Sequence, residues 1–205
     1  MAKILVVDDQ PDIILIVSRI LKKAGHDVIG AGGGQEALDI LRRMTPDLIL
    51  LDIMMPYLDG WETLELIRRE KHLKDVPVSM LTAKKITPEI IKENDVGELV
   101  NYIEKPFTKE SLTKKVEETL LKLADIEKHS AELEGEEEDI NVSNYKTAAK
   151  RELIHRNLSL NLKDILSMPD TEEDTNLDEI HNAIKTQEKM IDVFRKKREE
   201  ILKNR

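Results

Sequence analysis

The chain has no cysteine. Disulfides and thiolate metal sites are therefore excluded. Aromatic residues make up only 3% of its 205 residues, whereas 36% are charged, a balance that suits long solvated helices better than a second large core. No apolar run approaches the length that spans a bilayer, and the opening Met-Ala-Lys-Ile-Leu-Val-Val reads as a strand rather than a signal peptide. The cytoplasm is the expected compartment. Positive charge is in deficit: the formal net charge of −9 argues against non-specific nucleic-acid binding by the whole molecule. The triplet Gly32-Gly33-Gly34 is followed by no lysine-serine or lysine-threonine pair, so it is a turn and not a phosphate loop. The length allows one ordinary domain plus a smaller unit.

The most informative stretch is Asp47 to Gly60, DLILLDIMMPYLDG. The run Leu48 to Leu51 is short and wholly apolar, as expected of a strand buried on both faces of a parallel sheet. It ends in Asp52, at the strand's carboxyl end, where open α/β sheets bind ligands. The same pattern surrounds it. Lys3 to Val7 is a β-branched strand running into Asp8-Asp9, and Pro11 opens a helix with apolar residues at helical spacing that stops at Gly25. Asp27 to Gly30 is a second strand, and Gln35 to Arg43 a second helix. Trp61 to Arg69 is a third helix. Val76 to Leu81 is a fourth strand, and Pro88 to about Asn94 a fourth helix. Val100 to Ile103 is a fifth strand. Phe107, Thr108 and Leu112 fit a hydrophobic staple around the N-cap of a fifth helix. Alternating strands and helices imply a parallel sheet covered on both faces, joined by right-handed crossovers.

Four strand ends carry polar groups: Asp8-Asp9, Asp52, Thr82 and Lys105. Parallel strands bring these ends to one edge. Three carboxylates there repel unless a cation joins them, and a few hard oxygen ligands suit Mg²⁺. Thr82 offers a hydroxyl donor and Lys105 a compact positive charge. A carboxylate beside a metal and an ammonium can attack phosphorus. Taken singly, each residue has a plainer role. Asp8-Asp9 can cap the helix after them, Thr82 can close a turn, Lys105 can be a solvated surface charge, and Met54 and Met55 can be loop packing.

VVDD at 6–9, LLDIMMPYLDG at 50–60, LTAK at 81–84 and YIEKPF at 102–107 together resemble the receiver domain of two-component response regulators, over roughly residues 2–124. The resemblance implies a flavodoxin-like α/β fold with a five-stranded parallel sheet in the order 2-1-3-4-5. It implies that Asp52 accepts a phosphoryl group from a histidine kinase. Asp8, Asp9, Asp52 and the main-chain carbonyl of Met54 would hold Mg²⁺. Thr82 and Lys105 would bind the phosphoryl oxygens, Tyr102 would be the switch aromatic, and Lys105-Pro106 would be a cis peptide. The protein would be a phosphoacceptor rather than an enzyme acting on others. Two departures stand out. Val96 to Asn101 replaces the family's usual Gly-Ala-Asp-like turn before the fifth strand. Met54 and Lys84 flank the path of an attacking water and are expected to lengthen the life of the acyl phosphate.

The remainder reads as helical. The fifth helix is expected to continue to about Ala131, and Glu132 to Asp139 is a self-repelling acidic linker. The division is a receiver over 1–124, a helix extension and linker over 125–142, and a helical hairpin over 143–205. Ile154, Leu158, Leu162 and Ile165 line the hairpin's first helix. Leu177, Ile180, Ile184, Gln187, Ile191, Phe194, Arg198 and Ile201 form a coiled-coil seam on the second, with polar interruptions at Gln187 and Arg198. A hairpin this small should pack against a second copy or lean on the receiver, and a dimeric four-helix bundle is the preferred form, acting on an unidentified protein target. The basic run Arg195 to Arg198 is expected to be a solvated helix end, and nucleic acid is not an expected partner. Two alternatives remain: a DNA-binding transcriptional regulator, and a phosphorelay through His155, whose setting with Glu152 and Arg156 faintly resembles a kinase phosphoacceptor helix.

Overall fold

The computed structural model of the chain describes residues 1–134, 139–167 and 177–203. Five strands are found among the described residues: β1 (Lys3–Val7), β2 (Asp27–Ala31), β3 (Leu48–Leu51), β4 (Val78–Thr82) and β5 (Asn101–Glu104). The helices are α1 (Pro11–Lys23), α2 (Gly34–Leu41), α3 (Gly60–Arg69), α4 (Pro88–Glu93), α5 (Lys109–Glu134), α6 (Asp139–Leu166) and α7 (Leu177–Lys203). A single 3₁₀ turn, Val96–Glu98, precedes β5. The sheet order is β2-β1-β3-β4-β5, and the registered pairs are parallel. This is the flavodoxin-like α/β order expected from the motifs.

Local chemistry sets the boundaries. Ile4 to Val6 and Leu48 to Leu51 are fully buried, as continuous apolar runs in a parallel sheet must be. Gly25 takes φ +90° to leave α1, a region that favours glycine. Asp59 and Glu62 form a reciprocal capping box at the start of α3. A Cβ on Gly60 would collide with the Asp52 carbonyl, so only glycine lets α3 begin against that loop. Thr108, just before α5, and Ser111, in its first turn, exchange hydrogen bonds. β4 starts at Val78 rather than Val76, because Pro77 has no N–H to donate to the ladder. β2 extends to Ala31, β5 lies one residue further on than expected, and α2 begins at Gly34.

The described residues divide into two compact units: residues 1–85 with 102–117, and residues 86–101 with 118–205. The first holds the sheet core. The second is built around α6, which is buried along most of its circumference. Ile154, Leu158 and Leu162 are 0% exposed, each contributing roughly 1.5–3 kcal/mol of burial. Leu123, Ile126 and Leu133 of α5 and Ile180, Ile184 and Phe194 of α7 are buried in the same unit. A Lys146–Glu127 ion pair of 2.8 Å joins α6 to the later turns of α5. The acidic linker is shorter than expected: residues 132–134 complete α5 and α6 opens at Asp139, while 135–138 lie outside the described residues, as does the break around Met168-Pro169.

Candidate functional site

Each strand end delivers its residue by main-chain bonding. The Asp8 N–H donates to the Ala31 carbonyl (3.1 Å), and the Asp52 N–H to the Val7 carbonyl (2.9 Å). Lys105 N–H donates to the Thr82 carbonyl (2.8 Å), which sets the end of β5 beside the end of β4. Carboxylate oxygens of Asp8, Asp9 and Asp52 lie within 4.8 Å of one another. Lys105 Nζ donates to Asp8 Oδ2 at 2.5 Å and stands 3.5 Å from Asp52 Oδ2. The Lys105-Pro106 peptide is cis.

The aspartates are not simply caps. The N-cap of α1 is Gln10, and its side chain makes no cap bond. Asp8 Oδ1 accepts from the Gln10 N–H (3.0 Å), and Asp52 Oδ1 accepts from the Ile53 N–H (2.9 Å). Asp9 Oδ1 is buried with no hydrogen-bond partner. Burial pushes the Asp8 carboxyl above its ordinary value, and the bond from Lys105 pulls it back. Three carboxylates against one ammonium leave a formal excess of two negative charges. That excess, the orphaned oxygen and the all-oxygen donor set fit a hard divalent cation such as Mg²⁺.

Thr82 is fully buried, and its Oγ1 accepts from the Lys84 N–H (3.2 Å). Tyr102 is also fully buried, and its hydroxyl donates to the Lys84 carbonyl (2.5 Å). Burial raises the Tyr102 hydroxyl well above the ordinary tyrosine range, so it stays protonated and remains a donor. Met54 is 62% exposed and does not pack, whereas Met55 is buried. Lys84 is exposed.

The second unit holds charged groups that the sequence did not announce as a cluster. Glu152 is only 4% exposed. Arg156 Nη2 donates to its Oε1 (2.9 Å), Arg195 Nε lies 3.7 Å from Oε1, and Arg198 Nη1 lies 3.4 Å from Oε2. The basic run is therefore not merely a solvated helix end, because Arg195 and Arg198 turn inward to neutralise Glu152. His155 is 8% exposed, bonds Gln187 Oε1 through Nδ1 (2.7 Å) and stacks on Phe194 at 5.5 Å. Burial holds its imidazole below the usual histidine range. Gln187 and Arg198, the two polar interruptions of the α7 seam, are the residues that meet His155 and Glu152. That was the available signal, and pairing it across two helices needed the tertiary register.

Residues 4–117 match the family described as the response regulator receiver domain. The chain is 41% identical over 118 residues to a probable transcriptional regulator ycf27 of Porphyridium aerugineum, covering 58% of this chain and 48% of that one. It is 36% identical over 135 residues to the alkaline phosphatase synthesis transcriptional regulatory protein PhoP of Bacillus subtilis, covering 66% and 55%. The chain thus spans about half the length of these two curated relatives. The solved chemotaxis protein CheY4 of Vibrio cholerae is similar at 34% identity and a TM-score of 0.55, covering 58% of this chain and 98% of that one.

Proposed function

We propose that this chain, which belongs to the response regulator receiver family, accepts a phosphoryl group on Asp52 from the phosphohistidine of a histidine kinase. It would then signal through its helical C-terminal region by protein contacts. A carboxylate oxygen of Asp52 attacks phosphorus, the P–N bond to the kinase imidazole breaks, and the leaving nitrogen takes up a proton. Lys105, already between Asp8 and Asp52, neutralises charge on the transferring group, and Thr82 supplies a hydroxyl to a phosphoryl oxygen. Asp8, Asp9, Asp52 and the Met54 carbonyl would hold Mg²⁺, which when bound offsets the negative charge of the phosphoryl oxygens. The observation that carries this reading is the convergence of three carboxylates within 4.8 Å, with the Lys105 ammonium on two of them.

The test is incubation of the full chain with acetyl phosphate and Mg²⁺, read by intact mass. One added phosphoryl group is expected, with none in Asp52→Ala or when EDTA replaces Mg²⁺. Incorporation in Asp52→Ala equal to the parent would overturn the assignment.

No described helix is long and apolar enough to cross a membrane. We place the protein in the cytoplasm and retain a homodimer through the C-terminal helices as part of the proposal, to be read by light scattering. A DNA-binding output is the second reading, and it is in keeping with the two relatives described above being named transcriptional regulators. A gel shift with random-sequence DNA separates the two. We favour protein contacts because Arg195 and Arg198 are engaged with Glu152. The relay through His155 is disfavoured by its burial between Gln187 and Phe194.

A further inference from the structure

The second unit contains a cleft of about 420 Å³ where three helices meet. The later turns of α5, the middle of α6 and the end of α7 form its walls. Its size falls within the range of roughly 300–1,000 Å³ usual for small-molecule sites. Ile126, Tyr145, Ala149 and Leu153 line it and are buried, so its apolar part is cut into the packed bundle rather than laid on its surface.

The charged part of the lining is lopsided. Lys122, Arg156 and Arg198 stand there with Asp125 and Glu152, three cations with two carboxylates, which leaves one positive charge in excess. His129, also in the wall, bonds the Asp125 carbonyl through Nδ1 (2.7 Å) and is counted as neutral.

Glu152 does not hold the two guanidiniums of the wall equally. Arg156 Nη2 donates to Oε1 (2.9 Å), whereas Arg198 Nη1 stands 3.4 Å from Oε2, an oxygen that accepts no hydrogen bond. The Arg198 contact is therefore ionic only, and its N–H donors are not committed to Glu152. Both guanidiniums are partly exposed, so an incoming anion can reach them without opening the bundle.

We infer that this cleft binds a small monocarboxylic acid with an apolar body the size of one aromatic ring, its carboxylate on Arg198 and Arg156 and its body against Tyr145 and Leu153. One surplus positive charge matches a monoanion. A dianion such as a phosphate monoester would leave the site negative beside Asp125 and Glu152. A bare inorganic anion would gain nothing from the apolar walls. Tyr145 favours an aromatic body, because ring pairs attract beyond the area they bury. The site lies within the second unit and does not depend on the phosphoryl role of Asp52. A ligand there touches α5, α6 and α7 at once, so binding stabilises their arrangement.

The test is titration of the unphosphorylated full chain with 3-phenylpropanoate, followed by amide NMR shifts. A dissociation constant of about 0.5 mM is expected for a ligand of this size, with shifts over 122–129, 145–156 and 198–202 and none in β1 or β3. 3-Phenylpropan-1-ol lacks the charge, propanoate lacks the ring and phenyl phosphate is a dianion, and each should bind about tenfold more weakly. Arg198→Gln removes an anion donor and Ala149→Leu fills the cleft without touching its charge. Each should weaken 3-phenylpropanoate about tenfold. Arg195→Gln takes the same charge from Glu152 but none from the wall, and should weaken it less than about threefold. Circular dichroism checks each fold, and should Arg198→Gln or Ala149→Leu melt, the other decides. Absence of shifts well above the expected constant, or binding that a folded Arg198→Gln or Ala149→Leu leaves unchanged, would overturn the inference. Tighter binding of phenyl phosphate than of 3-phenylpropanoate would overturn it as well.

Discussion

The rim of the sheet and the middle of the helical unit use the same ingredients in opposite proportion. At the rim, three carboxylates share one lysine. In the helical unit, one carboxylate shares three arginines. The rim is left short of positive charge and keeps Asp9 Oδ1 buried without a partner, a standing cost that a bound cation would relieve. Glu152 is more than compensated by its own chain: guanidiniums from α6 and α7 surround its carboxylate and hold the two helices together, leaving that cluster short of negative charge, and Glu152 Oε2, like Asp9 Oδ1, is buried without a hydrogen bond. Carboxylates crowded at metal-sized spacing point to cation binding, whereas a single carboxylate bridged by guanidiniums from two helices points to packing and register.

Removing one carboxylate from each place should therefore have opposite effects. Glu152→Ala strips the counter-charge from three guanidiniums. It is expected to cost about 1–3 kcal/mol in a urea titration followed by circular dichroism, a value reduced because the arginines are partly in water. Asp9→Asn relieves repulsion at the rim. It should raise stability by about 1 kcal/mol in Mg²⁺-free buffer while weakening Mg²⁺ binding at least tenfold. If both variants destabilise equally, the contrast fails.

A smaller effect is expected with pH. His155 is held below the ordinary histidine value by burial. As pH falls through about 6.5, the unfolded chain takes up a proton that the folded chain refuses, so stability declines, and the decline levels off below the folded value. Asp8, raised by burial, acts in the opposite sense in more acidic solution, so the measurement belongs to amide exchange along α6 rather than to a global melt. His155→Gln should flatten the α6 profile between pH 7.5 and 5.5. The smallest expected change is kinetic. Met54→Asn, at an exposed position two residues past Asp52, should shorten the life of the phosphorylated form about threefold, roughly 0.7 kcal/mol of barrier. An unchanged decay would remove Met54 from the path of water.

The rim was legible because its residues end short apolar strands. A buried run such as Leu48 to Leu51 can be read in place, and strand polarity then fixes where Asp52, Asp8 and Lys105 go. The seam of α7 was legible in part: Ile180, Ile184, Gln187 and, seven positions on, Phe194 are buried, whereas Leu177 is exposed and Ile191, Arg198 and Ile201 are half-buried. What could not be read was which polar group meets which across the bundle. Nothing local says that Gln187 faces His155 or that Asn157 reaches Val100, fifty-seven positions earlier. The substitution of Val96 to Asn101 was visible as a departure, but its neighbours come from another helix. The acidic stretch misled because like charges suggest extension, yet residues 132–134 lie within α5.

The interleaving of the two units bears on how the chain can be cut. A fragment stopped at residue 117, where the family match ends, would retain every group of the acidic rim. It would also strip the α4 and 3₁₀ stretch of the helices that cover it and leave the Val100 carbonyl without Asn157. Such a fragment should clump at concentrations where the whole chain stays dispersed, so a truncated preparation would misreport the behaviour of the intact protein.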